Sequence, residues 1–517
     1  MRAEAIPATA LRPPRLSYSS VSGLMLLAAL IGIAVADIAV ASLDPWHELR
    51  RLIAGLLGPD LYAIEARSLV LTVAFAVLGV GIGAGAGLAM ALAFPYSRAV
   101  RMTCAFLRSI HEMFWALLLI QVTGLSPTTG ILAVALPYSG IFAKVFAEMI
   151  EEADLAAVRA LPTGASKISA FAFARLPELA EQFKSYTLYR LECGLRSTLV
   201  LGFIGLPTIG FHLESYFRQG HYAQAAGLLL SFYVLIGTRR LWARAATLPF
   251  LLVGSILALT YLVDAIGGGS IFANLARFLG AIVPRPLRGG DVFSPDTWLR
   301  LDAWAWPIVR YQIGPGVVQT LVLAQIAVIA MALLALALFP IICERFCGRA
   351  GKTLGRVILV VVRSTPEYML AYVLLQLLGP SMLPAIIALA LHNGAIVGYL
   401  MGRHADVLEY RPDAPKGVDL YCYETVPRLY GQFLAYALYR WEIILRESAI
   451  FGILGVATLG FYVDAAISEL KLDVAVMLIL AMALLSMSVD VFSRRLRRAL
   501  RIDSMPTRLS TSPVEAR

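Results

Sequence analysis

Arg190, Glu192 and Arg196 recur as Arg440, Glu442 and Arg446, at an offset of 250 residues. Within each set the glutamate and the second arginine stand four apart, on one face of a helix, a spacing that permits an ion pair. Ionisable groups at membrane depth are costly, and they face a cavity or one another. Two readings therefore stand side by side: structural ion pairs that lock helix register, or arginines that line the exit path of an anion. Other chemistries find little footing. Gly351-Lys352-Thr353 has the ending of a phosphate-binding loop, but that motif needs a glycine five residues earlier, where Phe346 stands. The five cysteines are scattered, and Cys343 and Cys347 have no histidine or further cysteine nearby to complete a metal site. Paired catalytic carboxylates, His-rich metal spacing and a nucleophile elbow are all missing, so the pattern speaks against an enzyme.

The elements that hold these residues are set by hydropathy. The chain of 517 residues is 59% hydrophobic and 15% charged, well to the apolar side of soluble domains. Val70 to Phe94 and Thr320 to Ile342 contain no charged residue, and each is long enough to cross a hydrocarbon core of ~30 Å as a helix. About twelve spans are expected: 21–42, 68–94, 113–126, 129–149, 186–206 and 222–238, then 249–266, 316–342, 357–378, 382–402, 436–456 and 473–492. The absence of period-2 alternation argues against a membrane barrel. The first span follows Arg2, Arg12 and Arg15 and lacks a small-residue cleavage site, so it reads as retained rather than as a signal peptide. Basic residues cluster in alternate loops, such as Arg98 and Arg101, Arg239 and Arg240, and Arg494 to Arg498. That asymmetry places both termini in the cytoplasm, and it explains the formal charge of +10 without nucleic acid. Far-side stretches at 46–57 and 272–282 are amphipathic and read as lying on the outer surface. Asp37 and Asp264 lie at corresponding places in the first spans of the two halves, near the outer surface.

Internal repetition is extensive. Gln182-Phe-Lys-Ser-Tyr-Thr-Leu-Tyr-Arg-Leu-Glu returns as Gln432-Phe-Leu-Ala-Tyr-Ala-Leu-Tyr-Arg-Trp-Glu, and Gly202, Gly205, Thr208, Gly210 and Phe211 match Gly452, Gly455, Thr458, Gly460 and Phe461. Arg108, Ser109 and Glu112 return as Arg363, Ser364 and Glu367 at an offset of 255. An even number of spans per half makes the repeats parallel, as in paired-half transporters. The glycine runs 79–87 and 202–210 suit close helix packing, with a gate hinge as the alternative.

Between spans four and five, Gly164 is followed by nine residues, then Ala174-Arg175-Leu176-Pro177. A glycine, a short helix and a helix-starting proline make a protruding helix-turn-helix. This loop resembles the signature of binding-protein-dependent ABC importer permeases: Glu-Ala-Ala, three residues, Gly, nine residues, hydrophobic, any residue, Leu-Pro. Val158-Arg159-Ala160 replace Glu-Ala-Ala. Ser185 to Glu192 and Val200 to Gly205 resemble the phosphonate importer permeases, which carry Gly-Ala-Gly-Gly-Ile-Gly where this chain has Gly205-Leu-Pro-Thr-Ile-Gly210. In the second copy Val426-Pro427 aligns with Leu176-Pro177, but Ala414 stands at the glycine position and Gly417 lies three residues on.

The resemblance implies an all-α integral membrane fold of two tandem permease repeats, the type I importer fold. Its parts would be an N-terminal cytoplasmic segment (1–20), a first half (21–240), a linker (241–248), a second half (249–500) and a cytoplasmic tail (501–517). Gly164, Ala165, Leu176, Pro177, Val426 and Pro427 would couple to an ATPase. The implied partners are two copies of a cytoplasmic ABC ATPase, a periplasmic or lipoprotein substrate-binding protein, and membrane lipid, without nucleic acid. No cofactor is expected in this chain, because ATP and Mg would be bound by the ATPase. The implied cargo is a phosphonate or related phosphorus oxyanion crossing an inner (plasma) membrane. The alternatives are an ion-gradient-driven secondary transporter with parallel repeats, an ABC permease for another small solute, and a membrane scaffold or enzyme that moves no solute.

Overall fold

Backbone amides in hydrocarbon must be satisfied within their own segment, and the computed structural model meets this with helices: no strand occurs among the described residues. The structure describes residues 17–42, 44–153, 161, 166, 169, 171–244, 246–263, 270–291 and 293–502. The first half contains α1 (Tyr18–Val35), α2 (Pro45–Leu57), α3 (Ala66–Ala93), α4 (Arg98–Ser109), α5 (Glu112–Thr123), α6 (Pro127–Glu152), α7 (Leu176–Gly202), α8 (Ile209–Arg218) and α9 (Tyr222–Gly237). The second contains α10 (Leu248–Leu262), α11 (Ile271–Ile282), α12 (Pro295–Ile308), α13 (Gly314–Leu338), α14 (Glu344–Ser364), α15 (Glu367–Leu378), α16 (Met382–Asp406), α17 (Val426–Ser448), α18 (Leu459–Ser468) and α19 (Leu472–Ala499).

The chain is an all-α, multi-pass membrane protein, yet it does not show twelve uniform spans. Among the described residues, six helical stretches are long and apolar enough to cross a membrane: α1, α3, α6, the 48-residue stretch Pro295–Ile342, α16 and α19. Two bent pairs, α4 with α5 at 96° and α14 with α15 at 89°, raise the number to eight. The expected straight span 357–378 is thus broken. Pro366 caps α15 and holds Thr365 extended (φ −74°, ψ 120°), because a residue before proline is pushed out of the helical region. Expected spans 186–206 and 436–456 overlap α7 and α17, which begin ten residues earlier and end at Gly202 and Ser448. Span 21–42 stops being helical at Val35. Its tail instead runs along the end of α15, with the Ala41 and Ser42 amides donating to the Leu378 carbonyl.

Small residues bring the central helices close. Gly79, Gly83 and Gly87 form one stripe of α3 against Val134, Tyr138 and Phe142 of α6. A Cβ added at Gly79 would lie 2.7 Å from that of Val134, and one at Gly83 would lie 2.9 Å from that of Tyr138. In the second half the small residues change sides: Gly394, Gly398 and Gly402 of α16 face Leu334, Leu338 and Ile342. The glycine run 79–87 therefore serves packing.

The halves also exchange their first spans. α1 lies on α13 of the other half, where the Gln325 amide donates to the Met25 carbonyl (2.8 Å). α10 lies on α3, where Arg67 donates to the Leu262 carbonyl (2.6 Å). The amphipathic helices bridge in the same sense: α2 touches α9 and α15, and α11 touches α19 and α5.

Candidate translocation site

Two elbows and two long helices build the centre. The first elbow lies between α4 and α5, where Ile110 is extended and the His111 ring accepts from the Met113 amide (3.3 Å). The second lies at Thr365-Pro366. The long helices α7 and α17 open with Leu176-Pro177 and Val426-Pro427. Proline is suited to a first helical turn, where its missing N–H has no intrahelical partner. From Pro177 to Arg196 the helix rises about 28 Å.

Arg196 and Arg446 each cross to the opposite half. Arg446 donates to the Arg108 carbonyl (2.8 Å), and Arg196 donates to the Arg363 carbonyl (3.2 Å). Each guanidinium thus meets the carbonyl end of the helix leading into the other half's elbow, where positive charge is favoured. The matched pairs 108/363 and 196/446 are therefore two ends of one contact, used twice about a pseudo-twofold axis.

The glutamates follow a different rule. Neither pairs with the arginine four residues on. Glu192 binds Arg239 at 3.2 Å, and Glu442 binds Arg108 at 3.3 Å. Arg108 also holds Asp490 at 2.6 Å, and Asp490 holds Arg494 at 2.6 Å. Cross-helix geometry outcompetes the local pairing because Arg196 and Arg446 are already committed to carbonyls. At the 250-residue offset Asp490 corresponds to Arg240 and Val489 to Arg239, so each glutamate keeps an arginine partner but draws it from a different helix. Arg363, the counterpart of Arg108, lies over the Tyr399 ring, 4.4 Å from its centroid. Arg190 donates to the Tyr186 hydroxyl (2.8 Å) and lies over the Tyr186 and Tyr189 rings. Tyr189 is 49% exposed although it sits midway along α7, within electrostatic reach of Arg196 and Arg440.

A second polar layer lies between the elbows and α6, α16, α7 and α17. Glu112 and Glu367 occupy matching first positions of α5 and α15. Glu112 stands 3.7 Å from His111, and Glu367 stands 3.8 Å from His392, whose other ring nitrogen bonds the Thr365 carbonyl (2.8 Å). Beside Glu112, the Tyr138 hydroxyl bonds Ser197 (3.2 Å). The matching positions of the second half hold Asn393 and Glu447, joined at 3.1 Å. The Asn393 carbonyl oxygen also accepts from Arg440 (3.1 Å). Asn393, Glu447, His392 and Asp490 were not anticipated. Their signal was an unlike pair, Ser197 against Glu447, inside a run of matches, and an acid inside an apolar span.

The α7–α8 and α17–α18 junctions repeat closely. Gly205 and Gly455 adopt left-handed backbones (φ +95° and +90°). A Cβ on Gly202 would clash with the Gly210 and Phe211 backbone and one on Gly210 with that of Leu199, as Gly452 would with Gly460 and Phe461 and Gly460 with Ala449. Thr72 accepts from the Ile209 amide and Thr320 from the Leu459 amide, both at 3.0 Å. A hydroxyl from a neighbouring helix thus occupies the start of α8 and of α18.

On the loops, Gly164 and Ala165 lie outside the described residues. In the second copy, Gly417 takes a left-handed backbone (φ +62°) with open space around it, so it provides a turn that Ala414 does not. Arg411 to Glu424 (2.6 Å), Tyr410 to Thr425 (2.9 Å) and Arg428 to the Glu409 carbonyl (2.9 Å) hold this loop. Gly351-Lys352-Thr353 is helical, and Lys352 binds Asp406 at 2.8 Å; it is not a phosphate loop.

No family model matches the chain, and no solved structure does. The chain is 25% identical over 433 residues to a phosphate-import permease protein of Mycolicibacterium smegmatis, covering 77% of each chain. A putative phosphite transport system permease protein of Stutzerimonas stutzeri is 34% identical over 139 residues, 27% of this chain and 53% of that one. A putative cryptic phosphonate transport system permease protein of Escherichia coli is 29% identical over 106 residues, 20% of this chain and 87% of that one. A single relative matched across most of the chain, with shorter ones matched over about a quarter of it, is what a fused two-repeat permease would give. The chain is thus a multi-pass membrane protein with an internal repeat, similar to permease proteins of phosphate, phosphite and phosphonate transport.

Proposed function

We propose that this chain is the transmembrane subunit of an ATP-driven importer that carries a phosphorus oxyanion, phosphonate foremost, into the cytoplasm. Phosphate, phosphite and phosphonate, the cargoes in the relatives' names, share a tetrahedral phosphorus with anionic oxygens. Arginine-rich surroundings suit such a group, and Arg190, Arg196, Arg440 and Arg446 supply them on α7 and α17. The protein would sit in the inner (plasma) membrane with both termini in the cytoplasm. A substrate-binding protein would deliver cargo outside. Two copies of a separate ATPase would bind ATP and Mg and seat the loops before α7 and α17.

The carrying observation is the doubled contact of Arg196 with the Arg363 carbonyl and Arg446 with the Arg108 carbonyl. Each long helix starts at a loop that an ATPase would move and, about 28 Å further on, grips the other half's elbow. Closure of the ATPases would therefore swing both elbows together, which is alternating access in a form that a fused pair can execute. Nucleotide biases the two conformations only through contacts that differ between them.

The test is uptake of labelled phosphonate by cells with and without the gene. A protonophore is added while cellular ATP is held constant, and phosphate and phosphite serve as competitors. Loss of uptake on deletion, with protonophore-insensitive transport in the parent, is the expected result. Collapse of uptake with protonophore would instead establish the gradient-driven alternative.

A further inference from the structure

Only residues 238–247 join α9 to α10, yet the two helices do not pack side by side. α10 leans on α3 instead, and a cleft of about 750 Å³ opens between it and α9, the size of a ligand pocket. Residues 230–238 and 250–258 form its walls, and Val70 and Val73 of α3 form its floor. Each wall is about 12 Å of helix, close to half of a ~30 Å hydrocarbon core and so the depth of one leaflet. The lining is mostly apolar, which suits hydrocarbon rather than water.

Two observations narrow the occupant further. Ser255 lines the cleft, is 5% exposed, and has no hydrogen-bond partner among the described residues. Buried hydroxyls are normally satisfied, so the occupant carries an acceptor at that depth. The linker end of the cleft is basic. Trp242 closes it, and the exposed Arg240 and Arg244 stand on either side of that tryptophan in a segment, 215–263, that contains no Asp or Glu. Basic residues beside an apolar cleft at a membrane surface attract anionic headgroups, and tryptophan favours that level. The other half is closed differently. There the Gln325 amide donates to the Met25 carbonyl (2.8 Å) and the Tyr430 hydroxyl to Ser22 (2.7 Å), tying α1 to α13 and α17. Val77 and Ala180 stand at the matching positions of the first half. Among the described residues, the polar tie of α10 to α3 is Arg67, at the outer end.

We propose that the cleft is a binding site for one anionic phospholipid. An acyl chain lies between α9 and α10, an ester carbonyl accepts from Ser255, and the phosphate meets Arg240 and Arg244. The lipid supplies the contact that α10 does not make with α9, where the first span of the second half rests on the first half. The site uses none of the arginines of α7 and α17 and stands apart from the cargo reading.

The experiment is native mass spectrometry of the full chain released from nanodiscs of equal phosphatidylglycerol and phosphatidylcholine. Thermal unfolding in detergent with each lipid added is the second readout. Gly254→Phe fills the cleft from a lining position where a Cβ meets nothing within 4 Å, and Gly85→Phe, equally open, is the control. The parent and the control should each keep one phosphatidylglycerol after activation that strips the rest, preferred about tenfold or more, and be stabilised by that lipid. Gly254→Phe should lose both the bound lipid and the stabilisation. The double variant Arg240→Gln, Arg244→Gln should bring the two lipids to within about twofold, since each arginine near the surface contributes about fivefold. Ser255→Ala should weaken retention of both lipids alike. A parent that keeps no lipid, or a Gly254→Phe variant that keeps as much as the parent, overturns the site. Equal loss in Gly254→Phe and Gly85→Phe overturns it as well. An undiminished preference in the double arginine variant overturns the headgroup assignment.

Discussion

Replacing Arg108 by methionine would leave Glu442 and Asp490, both from the second half, facing one another without the cation they share. Arg108, Glu442 and Asp490 have side chains only 14%, 16% and 6% exposed, so water does little to compensate. Breaking a buried pair by removing one partner costs about 3–5 kcal/mol. Arg494 still reaches Asp490 at 2.6 Å, which puts Arg108→Met near the lower end, at about 3 kcal/mol. Because Arg108 belongs to the first half and Glu442 and Asp490 to the second, the loss falls on the seam between halves. The assay is reversible unfolding in mixed micelles of rising dodecyl sulfate fraction, followed by tryptophan fluorescence. Trp441 packs on Phe492 at 5.9 Å beside the network and serves as a local reporter. A cycle with Glu442→Leu should give a coupling of about 1–3 kcal/mol. The triple variant Arg108→Met, Glu442→Leu, Asp490→Leu should recover to within about 1 kcal/mol of the parent, since an apolar cluster needs no desolvation of charge. A loss below about 0.5 kcal/mol for the single variant, or no coupling in the cycle, would refute the claim that this network joins the halves.

Gly202→Val should abolish folded protein rather than tune transport, because its Cβ would overlap the Phe211 amide and the Gly210 backbone. Yield and thermal stability in detergent check this, with Gly85→Val, where nothing lies within 4 Å, as the control. Glu48, on the amphipathic α2, accepts from the Tyr222 hydroxyl (2.8 Å) and from Arg51 (2.7 Å), which together hold its carboxyl below the usual carboxylate range. A depressed folded value means that its stabilisation is present above the unfolded carboxylate pKa and is lost as pH falls through the folded one. The stability difference between the parent and Glu48→Gln should therefore hold near pH 7 and vanish in acid below the ordinary carboxylate range. A difference independent of pH would refute it.

Much of the centre could be read in one dimension because the chain says it twice. Arg196 and Arg446, the Arg363 and Arg108 carbonyls that accept from them, and Gly202 and Gly452 are all repeat matches, and each performs the same act in both halves. What could not be read is where the copies diverge. Spacing made Glu192 with Arg196 the natural pair, yet Arg239 and Arg108 take the glutamates because the arginines on the same turns reach across to carbonyls. The straight span expected at 357–378 ignored Pro366, whose demand on Thr365 breaks the helix inside an apolar run.

Composition, charge asymmetry and repetition by themselves determined a helical, two-repeat membrane protein with apolar spans near 186–206 and 436–456, each preceded by a proline, Pro177 or Pro427, that starts a helix. These follow from properties local in sequence: transfer of apolar residues out of water, the fixed φ of proline and the period of a helix. Only the tertiary structure decided that α1 and α10 are exchanged between halves, that the first-half arginines grip the second half's elbow, and that Asn393 holds Arg440 and Glu447 apart. Those contacts join residues tens to hundreds of positions apart. In an environment without water each buried polar group takes whichever partner the packed helices bring within reach, and no pattern along the chain specifies that neighbour.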